Sequence, residues 1–183
     1  MITSPRSHMS GFTLLESVAV VSIVAILFAI GVPSYRSIQA ASRASTEVNG
    51  LLNDLQFARS EALKQGLTVT ACVSPGAAAC ANSTNWHAGW IVFSDLNGNG
   101  VVDAGETVLR VQKPFTGGDT VSAGTLKLIT FNRDGFALNL PSAGVVMTLH
   151  DSKSNKNATR CLSLAVSGMM TTQTNASAPS TCT

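Results

Sequence analysis

Apolar and polar residues change their spacing twice along the 183-residue chain. Residues 12–32 are almost all apolar, and as a helix this run of about 20 residues could cross most of a hydrocarbon core. From Pro33 to Gln65 apolar residues recur at steps of three and four, which predicts an amphipathic helix that ends at Gly66. The two segments together predict one helix over 12–65, with two helices separated at Pro33 as the alternative.

Beyond Gly66 short β-branched runs alternate with turn residues, a pattern typical of strands. The predicted strands are 67–73, 89–94, 107–112, 126–132, 144–150 and 160–166. Hairpin-type turns between them indicate an antiparallel sheet, and the amphipathic helix half would cover one face. The predicted fold class is therefore α+β, with a long N-terminal helix packed on an antiparallel β-sheet. The polar segment 171–181 is expected to be mobile unless something ties it down.

The composition indicates that one segment of the chain is not exposed to water in its functional state. Charged residues make up 12% of the chain, against roughly 25% in a typical soluble domain. The mean hydropathy is +0.25 and the formal net charge is +2. These values exclude an intrinsically disordered chain. The net charge is also too small to create the strong positive electrostatic field that is typical of a nucleic-acid-binding protein.

The start of the apolar run carries the most specific motif. Residues 11–16 read GFTLLE, so that Glu16 lies inside the run, where an unpaired carboxylate is costly. This motif, followed by an apolar stretch and Pro33, resembles the signature of type IV pilins and type II secretion pseudopilins. A plain signal anchor with an isolated glutamate is the alternative.

The resemblance implies how the N-terminus is processed and used. Prepilin peptidase would cut between Gly11 and Phe12 and the new Phe12 amine would be methylated. The apolar helix would hold the subunit in the inner membrane and later pack among other pilins in a filament. Glu16, one helical turn from the new terminus, would pair with the Phe12 amine of a neighbouring subunit and set the register. Pro33 would mark a helix irregularity.

Four segments further along the chain indicate which group of pilin-like proteins the chain resembles. FARSEA at 57–62, VTAC at 69–72, WHAGWIVF at 86–93 and FNRDG at 131–135 resemble the GspH/FimT (FimU-like) family of minor pilins and minor pseudopilins. This implies a low-abundance structural subunit that primes assembly of a type IV pilus and sits at or near its tip, with roles in adhesion, twitching motility or DNA uptake. A minor pseudopilin of a type II secretion system and a DNA-binding competence pilin are the alternatives.

The same resemblance implies a division of the chain. Residues 1–11 would be the leader peptide, 12–33 the half of the helix that spans the inner membrane, and 34–183 a periplasmic domain of a Gram-negative bacterium, later displayed on the pilus. The sequence has no partnered serine or cysteine triad and no phosphate-binding glycine loop, so it does not predict an enzyme. Trp86 and Trp90 are expected to pack in the core.

All four cysteines lie outside the apolar run, in a part of the chain that the resemblance places in an oxidising compartment. No C-x-x-C pair or histidine cluster accompanies them, which argues against structural zinc. Of three possible pairings we favour Cys72–Cys80, which would close a hairpin, and Cys161–Cys182, which would staple the polar tail to the last predicted strand.

Residues 95–106 match the spacing of the calcium-binding EF-hand loop. The candidate ligands are Asp95, Asn97, Asn99, Val101 through its carbonyl oxygen, Asp103 and Glu106. Predicted strands rather than helices flank the loop, and the alternative is a hairpin turn held by Asx-type hydrogen bonds. No cofactor is required by the resemblance, and Ca²⁺ is the one metal that the sequence suggests.

Basic residues of the C-terminal half are candidates for contacts with DNA phosphates. They are Lys127, Arg133, Lys153, Lys156 and Arg160, and a solvated face is the alternative. Some minor pilins of this group carry an arginine-rich stretch near the C-terminus, whereas residues 167–171 here read SGMMT. DNA is therefore not the favoured partner.

Overall fold

The computed structural model describes residues 13–183, and it begins with one long helix. Helix α1 spans Leu14–Gln65 and passes through Pro33 without a break, so the alternative of two separate helices is wrong. Thr13 caps its first turn by accepting the Glu16 N–H at Oγ1, 3.3 Å away. Gly66 ends the helix with a φ of 68° and donates its N–H to the Ala62 carbonyl. The predicted start at Phe12 lies outside the described residues.

The chain divides into two compact units, one that ends at Arg36 and one that comprises Ser37–Thr183. Within the second unit α1 buries a single stripe of residues at steps of three and four, as an amphipathic helix does. The stripe consists of Ala44, Val48, Leu51, Leu55, Ala58 and Ala62.

Nine strands in the described part of the chain form two antiparallel sheets. The strands are β1 (Val69–Val73), β2 (Trp90–Ser94), β3 (Val108–Gln112), β4 (Thr120–Ser122), β5 (Leu128–Phe131), β6 (Ala137–Leu138), β7 (Val145–His150), β8 (Arg160–Leu164) and β9 (Met170–Thr174). The first sheet has the order β3-β2-β1-β5-β6 and the second the order β4-β7-β8-β9. A hydrogen bond from Ala137 N to Val166 O, 2.9 Å long, links the β6 edge of the first sheet to the turn that follows β8.

The six predicted strands correspond to β1, β2, β3, β5, β7 and β8, whereas β4, β6 and β9 were not predicted. Strands β4 and β6 have three and two residues, too few for an alternating pattern to be visible. Strand β9 reads MTTQT, a polar sequence that is ordered by its pairing with β8. The expected single sheet is therefore two sheets, and the first part of the polar tail is tied down.

The core of the second unit lies between the buried stripe of α1 and the inner faces of both sheets. Trp86, Trp90, Phe131 and Leu162 are among its largest members, and the two tryptophans are buried as expected. A smaller cluster of Cys72, Ile91 and Phe93 covers the other face of β1 and β2. Every residue of these two strands is consequently buried, so they do not alternate between apolar and polar positions.

Candidate functional site

The described part of the first unit presents an exposed apolar helical surface. An 18-residue window of α1 has a mean hydropathy of 2.5, and none of it is buried. Its exposed side chains include Leu14, Leu15, Val18, Val21, Ile23, Ile26, Leu27, Phe28 and Ile30. An apolar surface of this extent indicates a site for lipid or protein contact, and the helix is long and apolar enough to serve as a single-pass anchor.

The few polar groups in this segment are compatible with apolar surroundings. The Ser17 and Ser22 hydroxyls donate to the carbonyl oxygens of Thr13 and Val18, 3.4 and 2.7 Å away on the same helix. These bonds give both hydroxyl donors a partner within the helix itself. Glu16 differs, because no ion pair involves its carboxylate within residues 13–183.

The amphipathic part of α1 is attached to the second sheet by polar contacts near its N-terminal end. Arg43 binds Asp119 through two hydrogen bonds, Nε to Oδ2 at 2.6 Å and Nη2 to Oδ1 at 2.7 Å. Burial opposes ionisation of Asp119, but hydrogen bonds from Arg43 and Glu47 outweigh it and hold the pKa of Asp119 below its ordinary value. Arg160 of β8 donates from Nε to the Ser45 hydroxyl at 2.9 Å.

Four further contacts attach the middle and the C-terminal end of α1. Asp54 accepts the indole N–H of Trp90 at 3.0 Å and a guanidinium N–H of Arg110 at 2.8 Å, and Arg110 lies 3.8 Å above the centre of the Phe57 ring. Arg59 donates from Nε to the Gly135 carbonyl at 2.9 Å. These contacts hold the second half of the helix in one orientation on the sheets.

The sequence analysis missed these anchoring side chains. Arg43 and Asp119 are 76 residues apart, and so are Arg59 and Gly135. The available signal was weak: Arg43, Asp54 and Arg59 each lie next to a buried position of the α1 stripe, where a long polar side chain can reach the sheet. Nothing local identifies the partner.

The structure contains both disulfides that the sequence favoured, and no cysteine among the described residues is free. Cys72 of β1 is bonded to Cys80 across a sequence separation of 8, and Cys161 of β8 to Cys182 across 21. The second bond joins the C-terminal tail to the outer face of the second sheet. Both bonds belong to the Ser37–Thr183 unit.

In the calcium-like loop, the side chains bond mainly to one another. Asp95 is fully buried, and its carboxylate accepts the N–H groups of Asn99 and Gly100, each at 3.0 Å, and the Thr70 hydroxyl at 2.6 Å. Gly100 has a φ of 73°, and a Cβ there would come within 2.7 Å of the Leu128 side chain. This position of the loop therefore requires glycine.

The remaining candidate ligands close the same turn. The amide groups of Asn97 and Asn99 donate to Asp103 Oδ2 at 2.9 and 2.7 Å, and these bonds lower the pKa of Asp103. Glu106 accepts the Leu96 and Asp103 N–H groups, and Val101 donates its N–H to Asn99 Oδ1. No group of three or more His, Cys, Asp or Glu side chains in residues 13–183 is arranged to hold a metal. The arrangement is a turn stabilised by Asx-type bonds, and a calcium site stays a prediction.

The five basic candidates lie beside strands of both sheets, and contact with DNA stays a prediction. Lys127 and Arg133 flank opposite ends of β5, and the Lys127 ammonium donates to the Asn82 side chain at 2.6 Å. Lys153 and Lys156 share the connection between β7 and β8. The Arg160 guanidinium is engaged by Ser45 and by nearby carbonyl oxygens.

Comparison with known proteins identifies relatives of this fold. A family model described as type II transport protein GspH matches residues 47–169. Two crystal structures of the type IV minor pilin FimU of Pseudomonas aeruginosa (strain PAO1), in space groups P21 and P65, have similar folds. The first has a TM-score of 0.59 at 20% identity and covers 81% of this chain and 99% of its own. The second has a TM-score of 0.54 at 22% identity and covers 76% of this chain and 98% of its own.

At such identities the likeness to FimU shows a shared pilin-like fold: a long N-terminal helix packed on antiparallel sheets. Among curated proteins, none matches the chain. The Gly11 and Phe12 positions of the expected leader cleavage lie outside the described residues.

Proposed function

Since the chain belongs to the GspH family of pilin-like structural subunits, we propose that it is a minor pilin that primes assembly of a type IV pilus and lies at or near the fibre tip. In this proposal residues 1–11 are removed as a leader, residues 12–33 cross the inner membrane, and residues 34–183 form the periplasmic domain. Prepilin peptidase cuts at Gly11 and methylates Phe12. Other minor and major pilins are the partners of the helix.

The observation that carries the proposal is the uncovered apolar half of α1. Its side chains are exposed over the whole 18-residue window, whereas the second half of the same helix is packed on the sheets. Burial of apolar surface contributes about 25 cal/mol per Å², so a surface of this extent favours a lipid or protein environment strongly. Before assembly the membrane lipids cover this apolar surface, and after assembly the helices of neighbouring pilins cover it.

Glu16 supplies the register of that packing. An unpaired carboxylate among apolar helices is costly, and the cost falls when the amine of a neighbouring Phe12 lies beside it. Only one axial displacement between two helices brings these charges together. The ion pair therefore selects among otherwise similar apolar contacts.

The family model and the similar structures are named after two related assemblies, the type II secretion system and the type IV pilus. The family model carries the name of a type II transport protein, and the similar structures are of a type IV minor pilin. A minor pseudopilin of a type II secretion system is therefore the second candidate. The neighbouring genes discriminate the two, since genes for pilus tip proteins support the first and genes for secretion components the second.

The proposal is tested by Glu16→Ala in the full-length chain, expressed in a host whose own copy is deleted. We expect the variant to reach the membrane with both disulfides formed but to fall at least about tenfold in sheared fibres, which corresponds to a loss of about 1.4 kcal/mol. The measurement is the amount of the subunit, by immunoblot, in the membrane and fibre fractions.

Glu61→Ala is the matched control, because Glu61 lies on the same helix and, among the described residues, accepts its hydrogen bonds from Lys64 and Gln65 on that helix. It should enter fibres at the wild-type level. Wild-type incorporation of Glu16→Ala would contradict the proposed register mechanism.

A further inference from the structure

The connection between β7 and β8, residues 151–159, packs on the first turns of α1 within the second unit, and we call it the basic loop. Its Asn155 donates from Nδ2 to the Ser37 hydroxyl at 3.2 Å. Arg160, which follows the loop, donates from Nε to the Ser45 hydroxyl at 2.9 Å. The basic loop therefore lies at the end of the unit where α1 enters it.

This end of the second unit is also close, along the chain, to the apolar run of residues 12–32. Ser37 follows Val32 by five residues, and five residues of any conformation span at most about 18 Å. The covalent chain alone sets this limit. A membrane that holds the apolar run therefore brings its headgroups within reach of the end at which the basic loop lies.

The charge that this end presents to solvent is positive. Lys153 and Lys156 of the basic loop are exposed, and neither ammonium has a hydrogen bond or an ion pair to another described residue. The acids here contribute less at the surface, because Asp119 and Asp151 are buried and Glu47 is half-buried. Five basic residues accompany these three acids, and they are Arg36, Arg43, Lys153, Lys156 and Arg160.

The opposite end of the unit, around the C-terminus of α1, has an excess of acids instead. Residues 37–65 extend about 43 Å as a helix, and beyond their end the Asp95 N–H donates to the Thr68 carbonyl at 3.0 Å, which places the loop 95–106 there. The basic residues at this end are Arg59, Lys64 and Arg133, and the acids are Glu61, Asp95, Asp103, Glu106 and Asp134. An anionic surface would therefore attract the end with the basic loop and repel this one.

We propose that the basic loop is a docking surface for the anionic headgroups of phospholipids in the membrane that holds the apolar run. The ammonium groups of Lys153 and Lys156 contact headgroup phosphates and keep the second unit at the membrane surface before the subunit enters a fibre. This attraction acts within a Debye length, about 8 Å at physiological salt, so it needs the proximity that the chain imposes. DNA offers the same phosphate chemistry, but the short link to the apolar run favours the membrane. The inference rests on the proposed function, because it requires residues 12–33 to be inserted in the membrane.

The direct test uses the full-length chain in lipid nanodiscs of phosphatidylcholine alone or with about 30% phosphatidylglycerol. Lysine amines are modified with an uncharged, water-soluble reagent and quantified by mass spectrometry at each of Lys64, Lys113, Lys127, Lys153 and Lys156. We expect phosphatidylglycerol to slow the modification of Lys153 and Lys156 at least about threefold at low salt, and this effect to disappear at about 0.5 M NaCl. Lys64, whose side chain is 76% exposed at the far end of α1, should be modified equally in both discs.

Hydrogen exchange of the basic loop provides a second readout. Phosphatidylglycerol should slow exchange at residues 152–157 of the wild type at least about twofold. The double variant Lys153→Gln and Lys156→Gln should lose this lipid dependence, and the matched control Lys64→Gln should keep it.

The outcomes separate this inference from the proposed function. Equal modification and equal exchange in both kinds of disc, with the chain inserted, would overturn this inference alone. Failure of the chain to enter either disc would overturn the proposed function as well. Protection of Lys153 and Lys156 by a short DNA duplex, but not by phosphatidylglycerol, would overturn the membrane contact in favour of DNA.

Discussion

The two halves of α1 have the same backbone conformation but different reasons for it. Residues 14–36 are mostly apolar and are exposed, whereas residues 37–65 bury one stripe and extend Arg43, Asp54 and Arg59 to the sheets. In the second half, packing on the sheets selects the helix. In the first half the described side chains are exposed, and the helix suits surroundings without water because it satisfies its own backbone groups. Helical structure alone therefore does not reveal what covers a segment.

The largest expected difference in the free energy of unfolding is between two leucine-to-alanine variants, one in each half of α1. Leu55→Ala removes a completely buried side chain and should lower the free energy of unfolding by about 2–5 kcal/mol. Leu27→Ala, at a side chain that is 65% exposed, should change it by less than about 0.5 kcal/mol. Urea unfolding of the full-length chain in detergent, followed by fluorescence of the buried Trp86 and Trp90, measures both. Equal losses would mean that the two halves do not differ as described.

A feature of this fold could be predicted from the sequence when the residues that determine it lie close together along the chain. The apolar run, the stripe of α1 and the six predicted strands are local patterns of 5 to 20 or so residues, and all of them have counterparts among the described residues. The favoured disulfides were also correct, because one pair closes a short hairpin and the other ties down a polar tail.

The features that escaped prediction depend on distant partners. Strand β9 is polar and forms only because β8 offers its edge. Asp119 has no local pattern, and its role follows from Arg43, 76 residues away. The loop at 95–106 has calcium-like spacing, but spacing does not specify whether Asn97 and Asn99 face a metal or, as here, Asp103. The two-sheet arrangement likewise results from pairings that no short segment encodes.

A smaller effect is expected from opening the Cys161–Cys182 bond. The pair Cys161→Ser and Cys182→Ser should lower the free energy of unfolding by about 3 kcal/mol, because a closed loop with a sequence separation of 21 no longer restricts the unfolded chain. Hydrogen exchange should become faster at the buried stripe of residues 37–65, which needs the folded sheets. Residues 14–36 in detergent should exchange as before. Faster exchange in that segment too would show that its helix depends on the sheets.

The smallest effect concerns a polar side chain in each half. Asp54→Asn weakens the bond to Arg110, which is partly exposed, and leaves an amide that can still accept from Trp90, so the free energy of unfolding should fall by about 1 kcal/mol. Ser22→Ala removes only a hydroxyl bonded to its own helix, and should change it by a few tenths of a kcal/mol, about 0.3. Both are measured by urea unfolding in detergent. A loss for Ser22→Ala as large as that for Asp54→Asn would mean that the hydroxyl serves a contact beyond its own helix, and that the first half, like the second, is held by tertiary polar bonds.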